Sequence, residues 1–200
     1  MWVKIKEILQ FSSRFEGKTE KTRVEIYFFR SQLRNLITRI KKQGEKINGY
    51  DVYEKRNTES AYIEGSEIEF KHQILRGVNL EGFMTYTFGQ NKTLNEPMRR
   101  IPPLNGHFTL NFTQKRAFFT LETLAATAQT RLAVGDKADN RIPTSGTPRW
   151  IVVNMFGGFS LKHLRVQGIF HNVFSQDYRL HGSGVNGMAW AVSGSVNVML

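Results

Sequence analysis

Near its end the chain carries HGSGVNG, residues 181–187, whose glycines at 182, 184 and 187 have the G-x-G-x-x-G spacing that cradles a dinucleotide pyrophosphate. That chemistry needs a strand before the glycines, a helix after them and an acidic residue about 20 positions on. HLRVQGIFHNVF before them reads as a strand, but MAWAVSGSVNVML after them alternates with period two and then stops. With room for neither helix nor acid, the dinucleotide reading fails. Glu67 and Glu69 lie on one face of a strand, about 7 Å apart by the strand rise. That separation suits an inverting glycosidase, yet nothing in the sequence supplies a substrate cleft. Ser183 near His181 invites a nucleophile reading, but no acidic partner and no G-x-S-x-G elbow surrounds it. The histidines, His72, His107, His163, His171 and His181, show no i, i+4 metal spacing, and the absence of cysteine removes thiolate sites and thiol nucleophiles. The expectation is a protein that is not an enzyme, with no catalytic residue, no metal and no cofactor.

Composition narrows the partners. The chain of 200 residues is 40% hydrophobic and 12% aromatic, enough for one domain, and carries a net charge of +11. Nucleic-acid binders concentrate Lys and Arg in a block or on one helix face. Here they are spread along the chain, with local runs only at RIKKQGEK (39–46) and MRR (98–100), so nucleic acid is not the expected partner. The aromatic RAFFTLET (116–123) reads as a strand, not a base-stacking platform. No run of about 18 apolar residues forms a membrane helix, and MWVKIKEILQ lacks the apolar region and cleavage site of a signal peptide.

The elements that must position these side chains are strands. From about residue 50 onward the dominant period is two. Val78, Leu80, Met84, Tyr86 and Phe88 alternate with Asn79, Glu81, Thr85 and Thr87. Phe108, Leu110 and Phe112 alternate with His107, Thr109, Asn111 and Thr113. Leu164, Val166 and Phe170 alternate with Arg165, Gln167 and His171. Strands are expected near 50–72, 77–89, 105–114, 116–129, 149–160, 163–174 and 189–200, with two more before residue 38. Short turns near 72–77, 113–117 and 160–164 alternate with long loops at 90–103, 131–148 and 175–188. A short turn on one side and a long loop on the other is the habit of a transmembrane β-barrel. A soluble sandwich or lipocalin-like barrel also alternates, with its apolar face inward. Aromatics near strand ends on the apolar faces (Trp150, Tyr86, Phe88, Trp190) favour lipid outside, as an interfacial girdle would.

VEIYFFRSQLRNLITRIKK reads differently. Ile26, Phe29, Leu33, Leu36, Ile37 and Ile40 fall at helical spacing, which in isolation describes an amphipathic helix. A strand over 22–33 running into a loop fits the pattern less well.

Several stretches together resemble the C-terminal part of TonB-dependent outer-membrane receptors. LRNLITR followed by YEKRNTESAYIEGSEIEF resembles that family's strand, outer loop and returning strand. MRRIPPLNG (98–106), DNRIPTSGTPRWIVVN (139–154) and HNVFSQDYRLHGSGVNG (171–187) resemble its later loops, in the family's order. The resemblance spans most of residues 22–200 and implies strand plus loop, not helix, over 22–42. It implies an all-β fold: an antiparallel transmembrane β-barrel segment of about nine strands, the C-terminal part of a larger barrel. Residues 1–200 would then be a partial barrel domain, without the plug domain, the TonB box and the first strands. An odd strand count, an end in NVML where the family has Phe, and the lack of a signal peptide agree with a fragment.

The resemblance also implies TonB-dependent uptake of a scarce nutrient such as a ferric siderophore, haem or similar iron source, in the outer membrane of a Gram-negative bacterium. The TonB complex would be reached only through the missing plug. Expected ligand contacts in the lumen are Glu67, Glu69, Glu81, Asn111, Arg165 and His171. Tyr178, Arg179 and His181 belong to the last outer loop, whose glycines permit left-handed turns and whose side chains tie it to its neighbours. The small-molecule ligand is expected to be a metal chelate. Lys41, Lys42 and Lys46 in one outer loop and Arg99 and Arg100 in another are expected to contact lipopolysaccharide phosphates. The alternatives are an independent small barrel, either porin or enzyme, and a soluble basic β-protein that binds nucleic acid.

Overall fold

The computed structural model describes residues 7–198. Its strands are β1 (Glu7–Lys18), β2 (Thr22–Ile47), β3 (Tyr50–Leu75), β4 (Val78–Asn91), β5 (Glu96–Pro97), β6 (Asn105–Gln114), β7 (Ala117–Ala126), β8 (Trp150–Ser160), β9 (Leu164–His171) and β10 (Ala191–Val198). One turn of helix, α1 (Val134–Lys137), lies between β7 and β8. The strands form one antiparallel sheet in the order β1-β2-β3-β4-β6-β7-β8-β9-β10, with the two-residue β5 paired to the end of β4. Every long strand therefore pairs with its neighbours in sequence, a meander. The expected strands from residue 50 onward are all present, and 105–114 is matched to the residue. Residues 199–200 of the expected last strand lie outside the described residues.

The reading of 22–42 needs correction. Neither helix nor loop forms there: β2 runs from Thr22 to Ile47 and pairs with β3 as far as Tyr50, with a bulge between Lys41 and Lys46. The helical spacing is an accident of a strand whose apolar residues change sides. Val24, Ile26 and Phe28 share one face of β2, whereas Phe29 and Leu33 belong to the other, where Leu33 is buried opposite Ala61. The turn joining β2 and β3 is Asn48-Gly49, with φ of 52° and 83°. Two consecutive residues with positive φ are what a two-residue hairpin requires, so a tight turn stands where a loop was expected.

The register sorts the side chains. Residues on one face of β4 (Leu80, Met84, Tyr86) lie level with Ile68 and Phe70 of β3 and with Phe108, Leu110 and Phe112 of β6. The row continues through Phe119 and Leu121 of β7, Met155 and Phe159 of β8, Val166 and Phe170 of β9, and Val192 and Val196 of β10. This apolar face is open: Phe15, Phe28, Phe112, Phe119, Val166 and Val192 are all exposed. In water such a contiguous apolar surface is costly at about 25 cal/mol per Å²; against hydrocarbon it is at home. The opposite face is polar and holds Glu25, Glu67, Glu69, Glu81, His107, Asn111, Glu122, Asn154, Arg165 and His171. The compact core is small and sits on the polar side at the long-loop end. There Ala126, Trp150 and Val152 are buried under Leu124 and Tyr178. Trp150 thus leaves the expected girdle: it shares a face with Val152 and Asn154 and is covered by the last loop. Trp190 and Tyr86 are exposed, as interfacial aromatics are.

Candidate binding site

Period-two alternation brings Glu67, Glu69, Glu81, Asn111, Arg165 and His171 to the polar face, but not into one cluster. Lys71 Nζ lies 3.1 Å from Glu81 on the neighbouring strand. The Thr120 hydroxyl donates to Asn111 Oδ1 at 2.7 Å. The Arg165 guanidinium lies 5.6 Å from the centre of the Phe118 ring, and His171 meets Phe156 edge-on. Glu67 and Glu69 stand exposed on the wall. A cavity of about 240 Å³ opens on this face between Arg23, Glu25, Glu69, Lys71, Glu81 and His107.

Two charged networks on the polar face have no local signature in the sequence. Glu25 is buried and receives Arg14 Nη2 at 2.7 Å, with Arg23 and the Tyr27 hydroxyl as further donors. His107 Nε2 lies 2.8 Å from Glu122 Oε1, while Asn154 donates to Glu122 Oε2 at 2.6 Å. Asn154 in turn accepts the backbone N–H of the fully buried Asn172 at 2.7 Å. The Asn172 amide donates to the carbonyls of Gln176 and Met188, each at 2.9 Å, and so clamps both ends of the last loop to the wall. Alternation identifies which strand residues face inward. It is silent on which of them meet across three strands.

Above the wall, two loops from distant parts of the chain meet on two aspartates. Asp136, 1% exposed, accepts the backbone N–H of Arg100 at 3.1 Å and Arg99 Nε at 3.4 Å. Asp139 takes Arg141 Nε at 2.8 Å and Nη2 at 2.7 Å, and Arg100 Nη2 at 3.2 Å. The last loop closes on this knot. His181 Nδ1 lies 2.8 Å from the Thr147 hydroxyl. Gly182 and Gly184 take φ of +76°, and Gly184 leaves room for the Arg141 side chain. A Cβ on Gly187 would enter the Tyr178 ring, which is packed on Trp150 with centroids 5.0 Å apart. Arg179 Nε donates to Asn186 Oδ1 at 2.8 Å within the loop. The glycines of HGSGVNG therefore serve turns and close packing. Burial pushes the His181 pKa below its ordinary value, against the opposing pull of Asp136 and Asp139.

The cations expected at lipopolysaccharide are engaged by acids of the chain itself. Lys41 is 2.6 Å from Asp51, and Lys42 is 2.9 Å from Glu45. The hydrogen bond from Lys41 holds the Asp51 carboxyl below its usual range and raises the lysine. Lys46 pairs in register with Asp51, and Arg99 and Arg100 belong to the aspartate knot. Around that knot a cavity of about 640 Å³ is lined by Tyr53, Arg99, Arg100, Asp139 and Arg141. It adjoins one of about 650 Å³ lined by Ile37, Ile40, Leu94, Met98 and Val134. The outer loops therefore offer a basic rim beside an apolar one. Among the described residues, no three His, Asp or Glu side chains converge as metal ligands.

No family model and no curated protein matches the sequence. Solved structures do match the fold. The copper transporter OprC superposes with a TM-score of 0.83 at 16% identity, over 98% of this chain and 32% of its own. The ferric enterobactin receptor PfeA from Pseudomonas aeruginosa gives 0.73 at 14%, over 96% and 31%. The FrpB iron transporter from Neisseria meningitidis gives 0.71 at 12%, over 98% and 31%. The chain thus spans about a third of the length of the structures it resembles, and these are transporters and receptors, not enzymes. In fold, then, the chain is similar to a stretch of the antiparallel barrel wall of TonB-dependent outer-membrane receptors.

Proposed function

We propose that the chain forms part of the wall and outer loops of an outer-membrane receptor that takes up a metal chelate, such as a ferric siderophore, haem or a similar iron source. The observation that carries this reading is the division of one sheet into an open apolar face and a charged, hydrogen-bonded face. Lipid satisfies the first, and a water-filled or protein-filled lumen satisfies the second. The ligand would first meet the rim formed by Arg99, Arg100 and Arg141 and the apolar patch beside it. From there it would pass along the wall carrying Glu67, Glu69, Glu81, Asn111, Arg165 and His171. Arginine forks suit carboxylate, catecholate or phosphate oxygens, and the apolar patch suits an organic scaffold. Energy from the inner-membrane TonB complex would enter through a plug domain that these 200 residues do not include.

Two measurements on the source cells test this. The native polypeptide recovered from the outer-membrane fraction should have a mass several times the 23.0 kDa of this chain, as a complete barrel requires. Deleting its gene should abolish growth on at least one ferric chelate or haem source under iron limitation, with growth on free iron unchanged. Recovery in the soluble fraction, or unchanged growth on every chelate tried, would overturn the reading.

A further inference from the structure

The open apolar face is not uniform. Where β4, β6, β7 and β8 lie side by side, one register row reads Met84, Gly106, Ala125 and Ile151. The two central residues add almost nothing beyond the backbone, while Met84 and Ile151 stand up on either side and Phe108 lies along the row below. The result is a groove of about 870 Å³ that also touches Leu104, Ala128, Arg149 and Gln176. Arg149 is the one charged residue in its lining. By alternation with Ile151, Arg149 points to the apolar side, and it is exposed.

The position of that charge matters. The strand residues of β4, β6, β7, β8, β9 and β10 on this face include no Asp, Glu, Lys or Arg. A strand needs about 9–11 residues to cross the hydrocarbon. Counted from the short-turn ends Gln114 and Ala117, the row at Gly106 and Ala125 is the ninth residue of each strand. Arg149 lies two residues beyond Ile151 of that row, at the level of the lipid headgroups on the long-loop side. A guanidinium there, facing bilayer and not lumen, meets headgroup oxygens, and phosphate matches its fork.

We propose that this groove seats one acyl chain of a phosphorylated membrane lipid, with the lipid phosphate on Arg149. The proposal rests on the outer-membrane reading above. Its occupant follows from the pairing of an apolar trough, floored by Gly106 and Ala125, with a single cation at its headgroup end. Along β6 to β10, lipid elsewhere on this face meets projecting Phe, Val and Leu strand side chains and no charged one, so this place should hold lipid longer than those surroundings.

The test uses the longest natural form of the protein, extracted from outer membranes in mild detergent. Lipid is then exchanged for phosphatidylglycerol, phosphatidylcholine or diphosphorylated lipid A, and the retained molecules are counted by native mass spectrometry. Wild type should keep one phosphatidylglycerol or lipid A in preference to phosphatidylcholine, whose own phosphate is masked by choline. Arg149→Gln should lower that retention about fivefold, the worth of one interfacial cation. Ala125→Leu should fill the trough and displace the lipid with Arg149 intact. Both variants must keep the heat-modifiable mobility of a folded barrel. Equal retention by wild type and both folded variants would overturn the proposal and leave the membrane reading standing. Displacement of the lipid by millimolar inorganic pyrophosphate would overturn it as well, by making Arg149 a site for soluble anions. Failure to recover the protein from outer membranes at all would overturn both.

Discussion

Asp136 and His181 show how much of the outer surface hangs on single buried groups. Asp136 is nearly sealed from solvent and supplies acceptors to one backbone and one guanidinium donor of the 98–100 segment. Asp136→Ala leaves those donors without a partner at a cost of about 1–3 kcal/mol, confined to the loops because the strands do not depend on it. Hydrogen exchange over 98–100 and 131–141 should accelerate about tenfold or more, with β6–β8 unchanged. His181 responds to pH. Its folded pKa lies below the ordinary 6.5, so the neutral form is favoured in the docked loop. For a base shifted this way, docking is at full strength above about pH 6.5 and weakens as the pH falls through and below that value. Exchange over 175–188 should therefore rise between pH 7.5 and 5.5, and His181→Gln should flatten that rise. The sequence marked His181 as a tie to neighbouring loops but not its partner, and it did not mark Asp136 at all. Asp136 lies 36 positions from Arg100 and His181 lies 34 from Thr147, and only the folded sheet closes those gaps.

At the scale of the strand, alternation carried most of the information. Leu110 and Thr109 are adjacent in β6, yet one lies in the apolar row with Leu80 and Leu121 and the other beside Glu81 and Glu122. Leu110→Arg should therefore cost about 2–4 kcal/mol near the bilayer midplane, whereas Thr109→Arg on the acidic wall should be nearly neutral. Denaturant unfolding in lipid vesicles separates the two, and equal costs would mean that both faces are wet. The same alternation is enough to place Glu67, Glu69, Glu81, Asn111, Arg165 and His171 on the polar side. It failed on β2, where Ile26, Phe29 and Leu33 imitate a helix because the strand carries apolar residues outward below and inward above. It also missed the Asn48-Gly49 dipeptide, whose hairpin signal was present in the sequence. Trp150 was misplaced for a related reason: at a strand end, a loop packing from the polar side outweighs the girdle expectation.

Among the described residues, each long strand pairs only with the long strands before and after it in sequence. The interior of the sheet therefore has no element that fixes the position of a strand independently of its neighbour. Assembly of such a wall resembles laying planks: each new hairpin takes its alignment from the edge already present, and the chain need never bring distant segments together first. Errors travel the same way. A one-residue slip between β6 and β7 would turn Glu122 to the apolar face and Leu121 to the polar one, and β8, β9 and β10 would inherit the displacement. The ties that cross several strands, His107–Glu122–Asn154–Asn172 on the wall and the aspartate knot above it, can form only when every plank between them is in line. They act as an alignment gauge for the finished wall, and a chain that fails to close them carries its fault as a loose loop at the long-loop end, open to proteolysis.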